Sequence, residues 1–256
     1  MIVALARPQS TLSSQEVTTE GIDIVISMDI SGSMLAEDLK PNRLEASKNV
    51  AIDFISERPN DRIGLVTFSG ESFTQSPLTT DHAVLKNLFK DVKNGLIEDG
   101  TAIGMGLATA VNRLRESDAK SRVVILLTDG FNNAGSIPPL TAAEIAREFG
   151  VRVYTVGLGT NGKAPFPFKT GFGTIAYQNV EVKIDENTMK EIAKLTGGKY
   201  FRATNTRSLT AIYEEIDQLE KSKIEVTEYR RKKEEFFPFA LASVLLLVID
   251  FSPILD

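Results

Sequence analysis

Five side chains in the sequence offer only carboxylate or hydroxyl oxygen and follow apolar stretches or a glycine-containing turn: Asp29, Ser31, Ser33, Thr101 and Asp129. The first three lie in "VISMDISGSM" (25–34), the fourth in "EDGTAIG" (98–104) and the last at the end of "SRVVILLTD" (121–129). Oxygen ligands without nitrogen or sulfur suit hard divalent cations. The sequence therefore predicts a site for Mg²⁺, or for Mn²⁺ or Ca²⁺, built from these five residues.

The balance of ligand types indicates what such a site does. Two carboxylates balance the charge of a divalent cation without excess negative charge, and the other three ligands are neutral hydroxyls, so the metal stays electrophilic toward one more anionic oxygen. An acidic side chain of a protein partner would supply that oxygen. A purely structural site is the weaker alternative, because structural sites usually saturate the ion with protein ligands.

The elements that position these residues alternate along the chain. Continuous apolar runs with β-branched residues predict strands buried on both faces, and apolar residues at helical spacing predict helices between them. The predicted strands are 22–28, 61–69, 71–78, 121–129, 151–159 and 199–203. The predicted helices are 41–57, with Pro41 at its start, and 81–92, 103–117, 139–150, 185–198 and 208–221.

This alternation is typical of an α/β fold: a doubly wound, mostly parallel central sheet flanked by helices. Residues 71–78 are predicted to form one short antiparallel edge strand, because Pro77 has no place in a central ladder. In such sheets ligands bind at the carboxyl ends of the strands, where Asp29 and Asp129 are expected. Residues 160–183, rich in Gly, Pro and aromatic residues, are interpreted as an inserted surface loop, in which "TIAYQNVEVKI" is one candidate arm of a hairpin.

The two ends of the chain differ from the 20–222 domain between them. Residues 1–19 are interpreted as an N-terminal stub, consistent with the end of an upstream membrane helix. Residues 223–256 combine the basic "YRRKK" with 14 uncharged residues from Phe236 to Ile249. A spanning helix needs about 20 residues. We favour a whole or truncated membrane anchor over a buried terminal helix.

Composition excludes several classes of function. A formal charge of −5 gives no basic surface for nucleic acid. The chain has no Cys, which excludes thiolate chemistry and Cys-based zinc sites, and its one His, His82, is interpreted as an ordinary helix-start residue. The remaining acidic residues, including Asp23, Asp38, Asp61 and Asp99, are expected to be solvated or to cap helices.

The same residues argue against three kinds of enzyme. The G-x-G-x-x-G spacing at 157–162 is followed by "KAPFPF", which cannot open the helix that a dinucleotide site needs. A phosphoryl-accepting Asp29 would need a second Asp two positions later, where the chain has Ser31. A metal hydrolase needs a base beside the metal-bound water. We therefore expect that the protein is not an enzyme. The alternative is a Mg²⁺-dependent phosphohydrolase or phosphotransferase that uses the same strand-end site.

The fragments "DISGS" (29–33), "DGTAIG" (99–104) and "LLTDG" (126–130) together resemble the von Willebrand factor type A (VWA) domain and its metal-ion-dependent adhesion site, MIDAS. The resemblance covers roughly residues 20–220. It implies that Ser31, Ser33 and Thr101 bind the metal directly, and that Asp29 and Asp129 bind it directly or through water. It also implies that a partner's Glu or Asp takes the open coordination position.

Further parts of the chain are similar to BatA-like membrane proteins of the Bacteroides aerotolerance operon type. These parts are the insertion, both ends of the chain and the segment "VKIDENTMKEIAKLTGGKYFRATNTRSL" (182–209). This resemblance implies a non-enzymatic module at the bacterial inner (cytoplasmic) membrane. It also implies that this module works with a MoxR-type AAA+ ATPase and other operon-encoded membrane proteins in complex assembly or stress tolerance. The basic cluster favours a cytoplasmic domain, and a periplasmic placement stays open.

Overall fold

The structure is a computed structural model that describes residues 9–11, 21–160, 162–169, 175–182, 184–221 and 232–234. The chain divides into two compact units, Thr19–Ile224 and a smaller unit formed by Met1–Thr18 with Glu225–Asp256.

The described residues form strands and helices in alternation. The strands are β1 Gln9–Thr11, β2 Asp23–Asp29, β3 Arg62–Phe68, β4 Ser72–Thr79, β5 Arg122–Thr128, β6 Arg152–Leu158, β7 Gly162–Lys169, β8 Ile175–Val182, β9 Tyr200–Ala203 and β10 Lys232–Glu234. The α-helices are α1 Arg43–Ser56, α2 His82–Asp91, α3 Ile103–Leu114, α4 Pro139–Glu148, α5 Glu186–Leu195 and α6 Thr206–Lys221.

The larger unit is built on a central sheet with the strand order β4-β3-β2-β5-β6-β9. All neighbouring strands are parallel except β4, which pairs antiparallel with β3 at the edge. This confirms the predicted fold class and the predicted edge strand. Pro77 is accommodated in β4 because an edge strand leaves one row of backbone groups unpaired.

Helices cover both faces of the sheet, which is why the central strands are apolar throughout. Every residue of β2 is buried. Its alternate residues belong to two apolar clusters, with Ile24 and Ile26 in one and Val25 in the other. Because successive side chains of a strand point to opposite faces, each cluster occupies one face of the sheet.

The helix after β2 corrects one detail of the sequence analysis. It was predicted to start at Pro41, but α1 begins at Arg43 with Asn42 as its N-cap. The Asn42 side chain accepts a hydrogen bond of 2.8 Å from the Glu45 amide, which satisfies one of the free donors at the helix start.

The insertion is a hairpin and not an irregular loop. Strands β7 and β8 pair antiparallel, with Phe166 opposite Gln178. Pro165 and Pro167 are two residues apart, so both place their nitrogen on the same edge of β7 and the other edge is free to pair with β8. The predicted hairpin arm in "TIAYQNVEVKI" corresponds to β8.

In the smaller unit, β1 pairs antiparallel with β10, with Ser10 opposite Lys233. The remainder of the predicted stub (1–19) and of the predicted anchor segment (223–256), including Phe236 to Ile249, lies outside the described residues. Within the part of the chain that the structure describes, the helices are too short or too polar to cross a membrane.

Candidate metal centre

Two neighbouring strands bring the two carboxylates together. Strands β2 and β5 are parallel and adjacent, with Met28 opposite Leu127, so Asp29 ends one strand beside Thr128 at the end of the other. The Thr128 hydroxyl donates a 2.6 Å hydrogen bond to Asp29 Oδ2. Asp129 follows Thr128 directly. The strand register alone therefore places Asp29 and Asp129 next to each other at the carboxyl ends of the central strands.

The loop after β2 adds both serines to this pair. The Ser31 amide donates to Asp29 Oδ1 at 2.9 Å, and the Ser31 and Ser33 hydroxyl oxygens are hydrogen-bonded at 3.0 Å. The Ser33 hydroxyl donates to Asp129 Oδ1 at 2.7 Å. A single 3₁₀ turn, Gly32–Leu35, gives the loop this curvature. Four of the five predicted residues thus form one continuous set of hydrogen bonds.

Thr101 approaches from the turn before α3. Its amide donates to Asn133 Oδ1 at 2.8 Å, and its carbonyl accepts from the Asn133 amide at 3.0 Å. A Cβ placed on Gly130 would lie 3.4 Å from Thr101 Oγ1, so the hydroxyl lies against the turn that carries Asp129. Ser33, Thr101 and Asp129 line one cavity of about 590 Å³. The structure brings all five predicted residues to the same end of the sheet.

The two carboxylates are held in an environment that disfavours their charge. Asp29 and Asp129 are 0% and 1% exposed. Burial, reinforced by the nearby Asp129, raises the pKa of Asp29 to about 7. Burial also raises the pKa of Asp129, although the Arg43 guanidinium partly opposes it.

A divalent cation would neutralise the negative charge of Asp29 and Asp129, and the oxygen donors of the site suit such a cation. Carboxylate and hydroxyl oxygens are the ligand types that Mg²⁺ and related hard cations take. Within the described ranges, no group of three or more Asp, Glu, His or Cys side chains is placed to hold a metal. A cation at this site would therefore depend on two carboxylates together with hydroxyls.

Arg43 is the part of the site that the sequence analysis missed. Its buried guanidinium donates to Asp129 Oδ2 at 2.5 Å and to both oxygens of Asp38 at 2.7 and 2.6 Å. The guanidinium thus holds one carboxylate of the site in a fixed orientation. Helical periodicity could have indicated that Arg43 is buried. Arg43 is four residues before the buried Ser47 and seven before Val50, so it lies on the inward face of α1.

Two acidic residues expected to be solvated or capping have specific partners at this end. Asp38 pairs with Arg43 and also accepts a 2.9 Å hydrogen bond from the Thr160 amide at the base of the hairpin. Asp99 accepts a 3.1 Å hydrogen bond from the Gly32 amide, between the two serines. The expectation was wrong for Asp38, which is ion-paired beside the site, and also for Asp23, which is 1% exposed and ion-paired with Arg62. Asp99 is exposed, as expected, and in addition holds the loop that carries the serines.

The fold and this strand-end site define a class of protein. The chain belongs to the von Willebrand factor type A domain family, whose model matches residues 23–215. This confirms the resemblance seen in "DISGS", "DGTAIG" and "LLTDG".

Relatives place the chain within that class. The crystal structure of BatB from Bacteroides thetaiotaomicron is 33% identical, with a TM-score of 0.67, and the match covers 78% of this chain and 100% of that one. An aerotolerance-related membrane protein from Bacteroides fragilis is 30% identical, with a TM-score of 0.66, over 77% of this chain and 98% of that one. An uncharacterized protein of Borreliella burgdorferi is 29% identical over 98% of this chain and 74% of its own length.

A further structure bears on the metal. Proximal thread matrix protein 1 from the mussel byssus is 25% identical, with a TM-score of 0.61, over 78% of this chain and 46% of that one. It has been solved with a zinc-occupied MIDAS motif. The resemblance to VWA proteins of the aerotolerance type is confirmed, and a metal-bearing MIDAS is present in a structural neighbour.

Proposed function

We propose that this chain is a non-enzymatic, divalent-metal-dependent protein-binding module of a bacterial membrane protein. The observation that carries the proposal is the buried pair Asp29 and Asp129, which is connected through the Ser31 amide and the Ser31 and Ser33 hydroxyls, with Asp129 lining an open cavity. Asp29, Ser31, Ser33, Thr101 and Asp129 hold the cation. When bound, the metal supplies a coordination position for a carboxylate oxygen of a partner protein.

The chain's own residues prepare the site for this task. The Ser31 amide and the Thr128 hydroxyl orient Asp29, and Arg43 orients Asp129. Fixed donors reduce the ordering that binding would otherwise require. The oxygen-only ligand set favours Mg²⁺, with Mn²⁺ and Ca²⁺ as alternatives. Zinc in the mussel protein supports a divalent cation at the corresponding motif.

The composition of the cavity supports a binding role over the phosphohydrolase or phosphotransferase alternative. Among the described residues that line it, Asp129 is the ionisable one, and its oxygens already accept from Ser33 and Arg43. His82, the one histidine of the chain, lies at the start of α2 and forms a 3.0 Å hydrogen bond through Nε2 with the Asp61 carbonyl. A general base for a metal-bound water is therefore not provided by the described lining.

The relatives support part of a proposed cellular role. BatB and an aerotolerance-related membrane protein are similar over most of the VWA domain. These names support a role in a membrane-associated aerotolerance system. We propose in addition that the chain acts at the bacterial inner membrane with a MoxR-type AAA+ ATPase and other operon-encoded membrane proteins, in complex assembly or stress tolerance. Residues 223–256 would supply a whole or truncated anchor.

A pull-down from membrane extract tests this function. Wild type and Asp29→Ala are each used with Mg²⁺ and with chelator, and Ser136→Ala serves as a control outside the cavity lining. A protein retained by wild type and the control only with Mg²⁺ is the expected result. Equal retention in all arms would contradict it, and turnover of a phosphate ester that is lost in Asp29→Ala would favour the alternative.

A further inference from the structure

The cavity beside the metal-site residues has two unlike sides. Ser33, Thr101 and Asp129 present oxygen on one side. The lining also includes large apolar side chains, Phe166 and Val180 from the hairpin and Phe131 from the loop after β5. The volume of about 590 Å³ is far more than a carboxylate group fills and lies in the usual range for a bound ligand.

The hairpin that carries the apolar side is attached to the loop that carries the ligands. The Glu37 amide, four residues after Ser33, donates a 2.9 Å hydrogen bond to the Pro165 carbonyl on the outer edge of β7. Ala164, the neighbour of Pro165, is 1% exposed. This backbone contact fixes the near strand of the hairpin against the site.

A second connection runs through side chains at the base of the hairpin. The Thr160 amide donates to Asp38, whose carboxylate is bound by Arg43, and Arg43 also binds Asp129. A Cβ on Gly159 would lie only 2.3 Å from the Arg43 guanidinium, so the chain entering the hairpin packs directly on this arginine. The apolar side of the cavity is therefore held in a defined position relative to Asp129.

The apolar side chains remain open to solvent. Phe131 is 48% and Val180 is 41% exposed, and Phe166 is half-buried. Exposed large apolar side chains grouped around a polar centre are typical of a binding surface. Their position next to the metal ligands restricts the occupant: one end must offer oxygen to the metal, and the adjoining part must be apolar.

We infer that the cavity selects an acidic partner residue flanked by a large apolar group, and that Phe166 and Val180 determine this selectivity. The inference rests on the proposed function, since the partner carboxylate binds through the metal. The metal position supplies charge complementarity for the carboxylate, and the hairpin supplies apolar area for its neighbour.

Two carboxylates of different length test the inference without a known partner. The full chain is loaded with Mn²⁺, and acetate or hexanoate is titrated while the relaxation of water protons reports displacement of metal-bound water. Because hexanoate adds four methylenes that reach the apolar side, wild type is expected to bind it about tenfold more tightly than acetate.

The variants locate the source of that preference. Phe166→Ala should reduce it to about twofold while acetate affinity stays unchanged, since the oxygen ligands are intact. Val180→Ala changes an exposed side chain and repeats the test without risk to the fold of the hairpin. Tyr177→Ala is the matched control, because Tyr177 lies on the same hairpin, is 59% exposed and is not part of the cavity lining.

Each outcome bears on a different statement. Equal affinity for the two acids in wild type, or an unchanged preference in both Phe166→Ala and Val180→Ala, overturns the selectivity. Failure of acetate and hexanoate alike to displace water from bound Mn²⁺ overturns the carboxylate step of the proposed function, and the selectivity with it. A loss of preference in Tyr177→Ala equal to that in Phe166→Ala would also contradict the assignment.

Discussion

Buried carboxylates at the two ends of the central sheet differ in how completely their charge is neutralised. At the amino ends of the strands, carboxylates are matched by arginine. Asp23 at the start of β2 is bound by Arg62 at the start of β3, with Nε to Oδ1 at 2.7 Å. Glu220 of α6 accepts from Arg152 at 2.6 Å and from Tyr154 at 2.5 Å. Burial alone would raise the pKa of Glu220, but its hydrogen bonds outweigh this and hold the pKa below its ordinary value.

At the carboxyl ends the matching is incomplete. Arg43 serves both Asp129 and Asp38, and Asp29 accepts from two neutral donors, the Ser31 amide and the Thr128 hydroxyl. The pKa of Asp29 is consequently raised to about 7, mainly by burial. One fold therefore contains stabilising charge pairs at one end and an unneutralised charge at the other. Such a difference is expected where a site is organised for a cation rather than for stability.

Removing Arg43 should have the largest effect on stability. Arg43→Met keeps much of the buried alkyl volume but leaves Asp38 and Asp129 without their cation, so the free energy of unfolding in chelator should fall by about 3–5 kcal/mol. Urea unfolding measures this change. Arg115→Met, at a half-exposed arginine paired with an exposed glutamate, is the control and should change stability by less than about 0.5 kcal/mol. Equal effects of the two variants would show that the buried pairing at the carboxyl ends is unimportant.

Glu220→Gln should weaken the opposite end. The variant leaves Arg152 without a negative partner, and the free energy of unfolding should fall by about 2–3 kcal/mol. Mg²⁺ affinity, measured by calorimetry, should stay at the wild-type value because the change lies at the other edge of the sheet. A parallel loss of Mg²⁺ affinity would mean that the two ends are coupled.

Asp29→Asn should produce the reverse pattern. Removing a charge that the fold disfavours should raise the free energy of unfolding in chelator at pH 8 by about 1–3 kcal/mol. Mg²⁺ affinity should fall at least about 100-fold, because a ligand carboxylate is lost. Chemical unfolding and calorimetry on the same preparation separate the two effects. A clear destabilisation by Asp29→Asn would show that Asp29 is a structural residue.

The pH dependence of stability should have opposite signs at the two ends. The raised pKa of Asp29 means that the metal-free folded state holds a proton that the unfolded state releases between about pH 4 and 7, so stability falls as pH rises through this window. The lowered pKa of Glu220 contributes stability that is present above its ordinary value and is lost as pH falls through the folded pKa.

Unfolding curves from pH 3 to 8 check both signs. The stability advantage of Asp29→Asn over wild type should grow by about 1 kcal/mol or more between pH 4 and 7. The deficit of Glu220→Gln should shrink as pH falls below the ordinary pKa of a glutamate and wild-type Glu220 becomes protonated. An Asp29→Asn advantage that is constant across the range would contradict the raised pKa.

The fold class and the position of the candidate site were predictable from local sequence patterns. Apolar runs such as 22–28 are fully buried strands, and their length and β-branched composition report burial on both faces without knowledge of the partners. Asp29 and Asp129 were located because side chains at the ends of parallel strands share one edge of the sheet. Both inferences depend on local pattern and on a rule of topology.

The contacts that support and border the site, in contrast, join segments that are distant in the chain and depend on how the elements pack. The Arg43 to Asp129 contact joins residues 86 positions apart, and the Glu220 to Arg152 pair joins residues 68 apart. Helical periodicity places Arg43 on the inward face of α1, but the identity of its partner depends on which strand lies next to β2. The hairpin likewise borders the cavity through contacts between distant segments, among them Glu37 to Pro165 and Thr160 to Asp38. Local sequence reports whether a side chain is buried, whereas strand order and loop packing determine which charge it meets there.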